Sequence, residues 1–139
     1  MAGMTLTISG LKDFSRALKQ VDNELPKALR MALNNAADAV LDRARPQVPS
    51  LSGRARRSLK PKSTRTLVRV SGGSKRVPYY PFLDFGGRVG RSHAVKRPFL
   101  KDGRYIYPAY FKLRDSGEFA EILEAELLSI ARRAGLEIT

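Results

Sequence analysis

Asp84 is the side chain in this sequence whose chemistry most needs an explanation. It lies in the middle of the apolar segment Tyr-Tyr-Pro-Phe-Leu-Asp-Phe-Gly-Gly at residues 79–87, and no other carboxylate occurs within residues 43–101. A charged group that leaves water has to be paired, because desolvation of an isolated ion is costly. An acid among aromatic residues in a basic region therefore predicts an ion pair with an arginine, and Arg54 and Arg57 are the expected partners.

Few other side chains could act as acids, bases, nucleophiles or metal ligands. The chain has no cysteine and one histidine, His93, in a basic glycine-rich stretch. A disulfide, a zinc site and a histidine-based triad therefore lack the residues that they need. Glu118, Glu121 and Glu124 recur at intervals of three beside an apolar stripe, which is typical of a solvated or partner-facing surface. We predict a non-enzymatic protein without metal or cofactor, and a small hydrolase or nuclease that uses Asp84 or His93 is the weaker alternative.

The positive charge is concentrated in the middle of the chain. The net charge is +13 overall, with 0 on residues 1–42, +15 on residues 43–104 and −2 on residues 105–139. Such a block is typical of proteins that contact a polyanion or an acidic partner. No helix-turn-helix, zinc or RNA-recognition signature accompanies it, so base-specific reading is not expected. The cations that could neutralise phosphates are Arg54, Arg56, Arg57, Lys60, Lys62, Arg65, Arg69, Lys75 and Arg76.

The hydrophobic periodicity predicts one α+β domain over residues 1–139, with a small, mainly antiparallel sheet packed against two long helices and one shorter helix. Strands are predicted at residues 5–8 and 66–71. One helix is predicted to begin after Gly10 and to run to Val21. A longer helix between Pro26 and Pro46 has one apolar stripe: Leu29, Leu33, Ala36, Ala37, Val40, Leu41 and Ala44.

The second half of the chain has weaker patterns. Residues 77–85 are predicted to form a strand or a strand with a turn, and a single helical turn is the alternative reading of this segment. Residues 101–104 are predicted to form a hairpin turn. Pro108 is predicted to open a C-terminal helix over residues 108–134, with a possible interruption at Ser116 and Gly117.

Two basic segments lack a clear pattern. Residues 45–64 contain three prolines and six Arg or Lys residues, and they are predicted to form an extended or mobile arm in which residues 52–59 could form two turns of basic helix. Residues 86–97 are rich in glycine and cations and are predicted to form a mobile loop. No apolar run approaches the ~20 residues needed to span a bilayer, and the N-terminus lacks the order of a signal peptide. We therefore expect a soluble protein made in the cytoplasm, without a membrane partner.

Four short segments carry a family resemblance. Gly10-Leu11 begins a helix, Pro49 to Leu59 matches P-x-x-x-G-x-x-R-x-S, Tyr79 to Gly86 matches Y-x-x-F-x-E-F-G with Asp84 in place of Glu, and Pro98 to Leu100 reads P-F-L. In this order, and followed by a C-terminal helix, they resemble the small tail-completion or neck proteins of long-tailed bacteriophages, which join head to tail. Gly87 also departs from the family pattern, where Thr is common.

The resemblance implies a structural role in a virion that is assembled in the host cytoplasm. The protein would form a sixfold or twelvefold ring around the DNA channel, between the head-closure (stopper) protein and the tail terminator. We expect Arg88, Arg91 and Lys96 to face packaged double-stranded DNA without reading its sequence. The expected subunit or partner contacts are Arg54, Arg56, Arg57, Tyr80, Phe82, Asp84 and Phe85. The alternative is a sequence-nonspecific nucleic-acid-binding protein outside a virion.

Overall fold

The computed structural model describes residues 2–49, 53–89 and 95–135, and it confirms the α+β class. Six helices and two small antiparallel sheets occur within these residues. In chain order the elements are β1 (Ala2–Thr7), α1 (Leu11–Val21), α2 (Leu25–Ala44), a 3-10 turn (Arg45–Gln47), α3 (Arg54–Arg57), β2 (Lys60–Pro61), β3 (Leu67–Gly72), α4 (Tyr80–Phe85), β4 (Gly87–Val89), β5 (Val95–Arg97), α5 (Ile106–Asp115) and α6 (Glu118–Arg133).

Helix α2 forms the centre of the core. All seven residues of its predicted apolar stripe are fully buried. The helix packs against α1, α5 and α6 and against the sheet strands β2 and β3. Its stripe alanines add little bulk, which lets neighbouring elements approach closely. The prediction of this helix from its 3.6-residue periodicity is confirmed, and so is the start of α1 after Gly10.

The larger sheet has three antiparallel strands in the order β1-β3-β2. Met4 on β1 pairs with Val70 on β3, and both side chains are buried towards the helices. Thr5 and Arg69 pair at the next position and are exposed. Since successive side chains of a strand point to opposite faces, the sheet has an apolar inner face and a polar outer face. The two strands predicted from alternation are confirmed.

The basic segment from residue 45 to 64 is not an extended arm in its described part. Val48, Ala55 and Leu59 are buried in the core. Arg45 donates to the carbonyl of Leu59 at 3.2 Å, and Arg56 Nε donates to the carbonyl of Val48 at 2.7 Å. The prediction is wrong here because it rested on average composition, whereas three apolar side chains and two main-chain-binding arginines suffice to fold the segment onto the body.

The region from residue 77 to 105 also differs from its predicted strands. Tyr80–Phe85 is the short helix α4, so the helical-turn alternative for this segment is confirmed and the strand is not. Pro81 lies in the first turn of α4, where a missing N–H costs nothing. Residues 101–104 contain a turn, with the N–H of Gly103 bound to the carbonyl of Leu100 at 3.1 Å, but it is not a hairpin turn because Tyr105 leads directly into helix α5. Residues 87–89 and 95–97 pair as an antiparallel ribbon, in place of the predicted loop.

The C-terminal region contains two helices instead of one. Helix α5 begins at Ile106, two residues before Pro108, and a break at Ser116 and Gly117 precedes α6, as the sequence suggested. Gly117 has a φ of 83°, a conformation that glycine adopts without steric cost. None of the helices in the described ranges is both long enough and apolar enough to cross a membrane.

Candidate functional site

The carboxylate of Asp84 is the centre of a buried hydrogen-bond cluster. Asp84 is 1% exposed and lies in helix α4. Its Oδ2 accepts a hydrogen bond of 2.8 Å from the hydroxyl of Tyr80, one turn earlier in the same helix. Its Oδ1 accepts hydrogen bonds from the backbone N–H groups of Arg104 at 2.7 Å and Tyr105 at 3.1 Å. Three donors thus solvate the charge in place of water, and they tie α4 to the start of α5.

The predicted ion pair between Asp84 and Arg54 or Arg57 is wrong. No arginine side chain of the described residues lies within ion-pair distance of this carboxylate. The guanidinium of Arg104 binds backbone carbonyls instead of the carboxylate. It donates to the carbonyl of Asp84 at 3.0 Å and to the carbonyl of Pro98. The acid needs no charged partner because O–H and N–H donors already satisfy it.

Tyr80 is a hydrogen-bond donor that does not ionise at ordinary pH. Burial raises the pKa of the Tyr80 hydroxyl, and the neighbouring Asp84 carboxylate raises the pKa further. Tyr80 has no exposed surface, so neither it nor Asp84 can reach a substrate or a partner molecule. The prediction that Tyr80 and Asp84 form intersubunit contacts is therefore wrong. Their arrangement is suited to holding α4 against the start of α5.

Two glycines pack directly against this cluster, and a third packs against the backbone of Pro98. A Cβ atom at Gly72 would overlap the ring of Tyr80, and one at Gly103 would overlap the carboxylate of Asp84. A Cβ atom at Gly86 would overlap the backbone carbonyl of Pro98. The approaches at Gly86 and Gly103 bring the segment 98–103 against α4, and a side chain at either position would prevent them.

The result of this anchoring is a pair of exposed apolar side chains. Phe99 is 69% exposed and Leu100 is 44% exposed, although the Leu100 N–H is bound to the carbonyl of Phe85 at 2.8 Å. Aromatic side chains such as Phe99 are enriched in the cores of protein interfaces relative to the rest of the surface. We call Phe99 and Leu100 the apolar pair. The sequence pointed to the P-F-L motif but not to its exposure.

The outer face of the larger sheet is basic. Lys60 pairs with Ser71 across β2 and β3, and the pairing continues with a hydrogen bond of 2.8 Å from the N–H of Lys62 to the carbonyl of Arg69. Residues opposite one another in an antiparallel pair have side chains on the same face. Lys60, Lys62 and Arg69 therefore share the face that α2 does not cover, and all three are exposed.

A cavity of about 720 Å³ lies beside this face. Its lining comes from α3, β2, the end of β3 and the following turn: Arg54, Arg57, Ser58, Lys60, Lys62, Ser71, Gly73, Ser74, Arg76 and Val77. Ser58 fixes part of this wall, because its hydroxyl donates to the carbonyl of Ala55 at 2.6 Å and accepts from the N–H of Gly73 at 3.0 Å. We call this cavity the basic cleft. The sequence suggested its cations but could not indicate that they converge with serines.

The residues predicted to face DNA are only partly described. Arg88 and Lys96 are directly opposite each other in the β4–β5 ribbon, and the Lys96 side chain is exposed. Arg91 and His93 lie outside the described residues. The assignment of Arg88, Arg91 and Lys96 to a DNA channel stays a prediction.

The remaining predicted contact residues lie at or near the surface. Arg54, Arg56 and Arg57 are exposed on and around α3, and Phe82 and Phe85 are half-buried on α4. Their role in subunit or partner contacts also stays a prediction.

Acidic residues are dispersed in the described structure. Glu118 on α6 pairs with Arg43 on α2 at 2.6 Å, and both side chains are about half exposed. Glu121 and Glu124 are exposed on the same helix. Within residues 2–49, 53–89 and 95–135, no three His, Cys, Asp or Glu side chains come together in an arrangement that could hold a metal ion.

Comparisons of the chain with protein-family models, with curated proteins and with solved structures found no match.

Proposed function

We propose that this protein is a non-enzymatic ring component of the neck of a long-tailed bacteriophage, linking the head-closure protein to the tail terminator around the DNA channel. The support from sequence is the order of the four motif segments. In the structure, Gly10 precedes α1, Gly53 precedes α3, residues 79–86 form α4 with its buried acid, and Pro98 to Leu100 follow the ribbon.

The observation that carries the proposal is the apolar pair. Its backbone is held by Arg104, by the close approach of Gly86 to Pro98 and by the bond from Leu100 to Phe85, yet both side chains are open to solvent. Burial of apolar surface is worth about 25 cal/mol per Å², so a partner surface that covers Phe99 and Leu100 gains free energy without having to order the segment first. A ring gives every subunit such a partner.

The charge distribution also fits this role. A block of +15 on residues 43–104 repels its own copies, and it needs polyanions or acidic neighbours to offset that repulsion. A neck ring has both, because it surrounds DNA and contacts other proteins above and below.

The test is the oligomeric state of the purified chain, alone and mixed with the head-closure and tail-terminator proteins of the same virus. Native mass spectrometry should find a closed multiple of the 15.5 kDa subunit. The double variant Phe99→Ser, Leu100→Ser should lose this assembly while its melting temperature stays unchanged.

Met31→Ser is the matched control, because Met31 is another exposed apolar residue, on α2. It should assemble like the wild type. A wild-type chain that stays monomeric with both candidate neighbours present contradicts the proposal.

A sequence-nonspecific nucleic-acid-binding protein outside a virion is the second candidate, and the basic cleft favours it. The two functions differ in location. The neck component should be found by mass spectrometry in purified virus particles, whereas the second candidate should be absent from particles and bound to nucleic acid in infected cells.

A further inference from the structure

Three cations of the basic cleft have no acidic partner among the described residues. Lys60, Lys62 and Arg76 have no carboxylate within ion-pair distance among the described residues. The described residues that line the cleft include no Asp or Glu. Ion pairs elsewhere in the described structure show that arginines do find acids where these are near, as Arg45 does with Asp42 at 2.8 Å. The cleft therefore concentrates positive charge that an external anion would neutralise.

A second observation, independent of charge, also suggests a ligand. Ser71 lines the cleft, and its hydroxyl oxygen is buried with no hydrogen-bond partner among the described residues. A buried hydroxyl without a partner is unusual, because its lost hydration is not replaced. Lys60 stands opposite Ser71 in the strand pairing, so this hydroxyl and a lysine share one wall of the cleft.

The dimensions favour an extended anion over a single small one. The volume of about 720 Å³ lies in the range of about 300–1,000 Å³ that is typical of sites for ligands larger than one phosphate ion. Lys60 and Lys62 are two residues apart on an extended segment, a step of about 6.6 Å. This step is comparable to the separation of neighbouring phosphates along a nucleic-acid strand.

We propose that the basic cleft binds successive phosphate groups of a nucleic-acid backbone, with Lys60, Lys62 and Arg76 as the charged contacts and serine hydroxyls as additional donors. The oxygens of each phosphodiester can accept hydrogen bonds from these cations and hydroxyls. Contacts to phosphate do not depend on the base sequence. The inference deepens the DNA contact in the proposed neck function. It moves that contact from the β4–β5 ribbon to the outer face of the sheet.

The experiment measures binding of the purified full chain to a fluorescent 20-base-pair DNA duplex by anisotropy at several salt concentrations. The test variant is Lys60→Gln, Lys62→Gln, Arg76→Gln. The control variant is Lys12→Gln, Arg16→Gln, Lys19→Gln, which removes the same charge from exposed positions on α1. The cleft variant should bind at least about tenfold more weakly at low salt, and the slope of log K against log salt should fall by about 2 to 3. The control should stay near the wild type.

Equal losses in the two variants would overturn the proposal, because the affinity would then follow net charge and not the cleft. The proposal is also overturned if the cleft variant binds DNA normally but loses self-association, since the cleft would then receive an acidic surface of a second copy. Circular dichroism of both variants establishes that they are folded. DNA binding by the free chain does not depend on ring formation, so failure here and failure of the neck assignment are separate results.

Discussion

Tyr80 donates a hydrogen bond of 2.8 Å to the carboxylate of Asp84, and the two residues lie one turn apart on the same short helix. The same carboxylate accepts hydrogen bonds from the backbone N–H groups of Arg104 and Tyr105, which are twenty and twenty-one residues later in the chain. A helix of six residues has little stability of its own. The acid therefore joins an otherwise marginal helix to the start of α5, and through Arg104 it also orders the segment that presents the apolar pair.

Asp84→Ala should destabilise the chain by at least about 2 kcal/mol, because the Tyr80 hydroxyl and the Tyr105 amide stay buried without an acceptor, at about 1–3 kcal/mol each, and the Arg104 amide loses its partner too. Urea unfolding followed by circular dichroism measures the loss. Asp102→Ala is the control: Asp102 is exposed two residues before Arg104, and its replacement should change stability by less than about 0.5 kcal/mol. Equal stability of the two variants would show that the cluster contributes nothing.

The raised pKa of Tyr80 predicts a loss of stability at high pH. In the unfolded chain a tyrosine hydroxyl ionises near pH 10, whereas in the folded chain the Tyr80 hydroxyl stays protonated. The unfolded state thus binds fewer protons above about pH 10, so this group lowers the free energy of unfolding by about 1.4 kcal/mol per pH unit there.

Urea unfolding between pH 8 and 11.5 should show this steeper decline in the wild type and a shallower one in Tyr80→Phe. Tyr79→Phe, at the exposed neighbouring tyrosine, should follow the wild type. The same pH dependence in all three proteins would contradict the assignment.

Gly103→Ala should destabilise the chain more than Gly117→Ala does. Both glycines have positive φ, 71° and 83°, so alanine costs about 1–2 kcal/mol of backbone strain at either position. At Gly103 the new methyl group would also overlap the Asp84 carboxylate, whereas nothing lies within 4 Å of a Cβ at Gly117. Denaturant unfolding should give a difference of at least about 1 kcal/mol between the variants, and the reverse order would refute the packing argument.

Hydrogen exchange can distinguish whether the basic segment at residues 45–64 is folded or is a mobile arm. The N–H of Lys62 is bound to the carbonyl of Arg69 at 2.8 Å, and the N–H of Ser63 is bound to the side-chain oxygen of Asn34 at 2.8 Å. In the free chain both amides should exchange far more slowly than an unstructured reference peptide. Asn34→Ala should speed exchange at Ser63 and leave Lys62 protected. If both amides of the wild type exchange as fast as the unstructured peptide, this segment is a mobile arm, as the composition predicts.

Local patterns predict the elements in which apolar residues recur at a regular spacing. The α2 stripe from Leu29 to Ala44, the β3 alternation and the interruption at Ser116 and Gly117 are all encoded by neighbouring residues. Apolar residues that recur every 3.6 residues in a helix, or every 2 residues in a strand, indicate which face of the element is buried. For the same reason the residues alone are enough to predict the α+β class, and their types single out the acid at Asp84.

Local patterns fail where the decisive partner is distant in the chain. The strand prediction for residues 77–85 is wrong because their aromatics and prolines say nothing about Arg104 and Tyr105, whose amides hold Asp84. The arm prediction for residues 45–64 is wrong in the described part because composition does not reveal that Val48 and Leu59 reach the core.

The amino-acid sequence specifies the helices of the first half, the placement of the positive charge and the identity of the acid that needs a partner. Contacts between distant elements determine that amides and Tyr80 satisfy this acid, that the apolar pair is exposed, and that Lys60, Lys62, Ser71 and Arg76 line one cavity. The difference arises because periodicity reports burial along one element, whereas hydrogen-bond partners and cavities depend on strand register and on packing between elements, which no local pattern specifies.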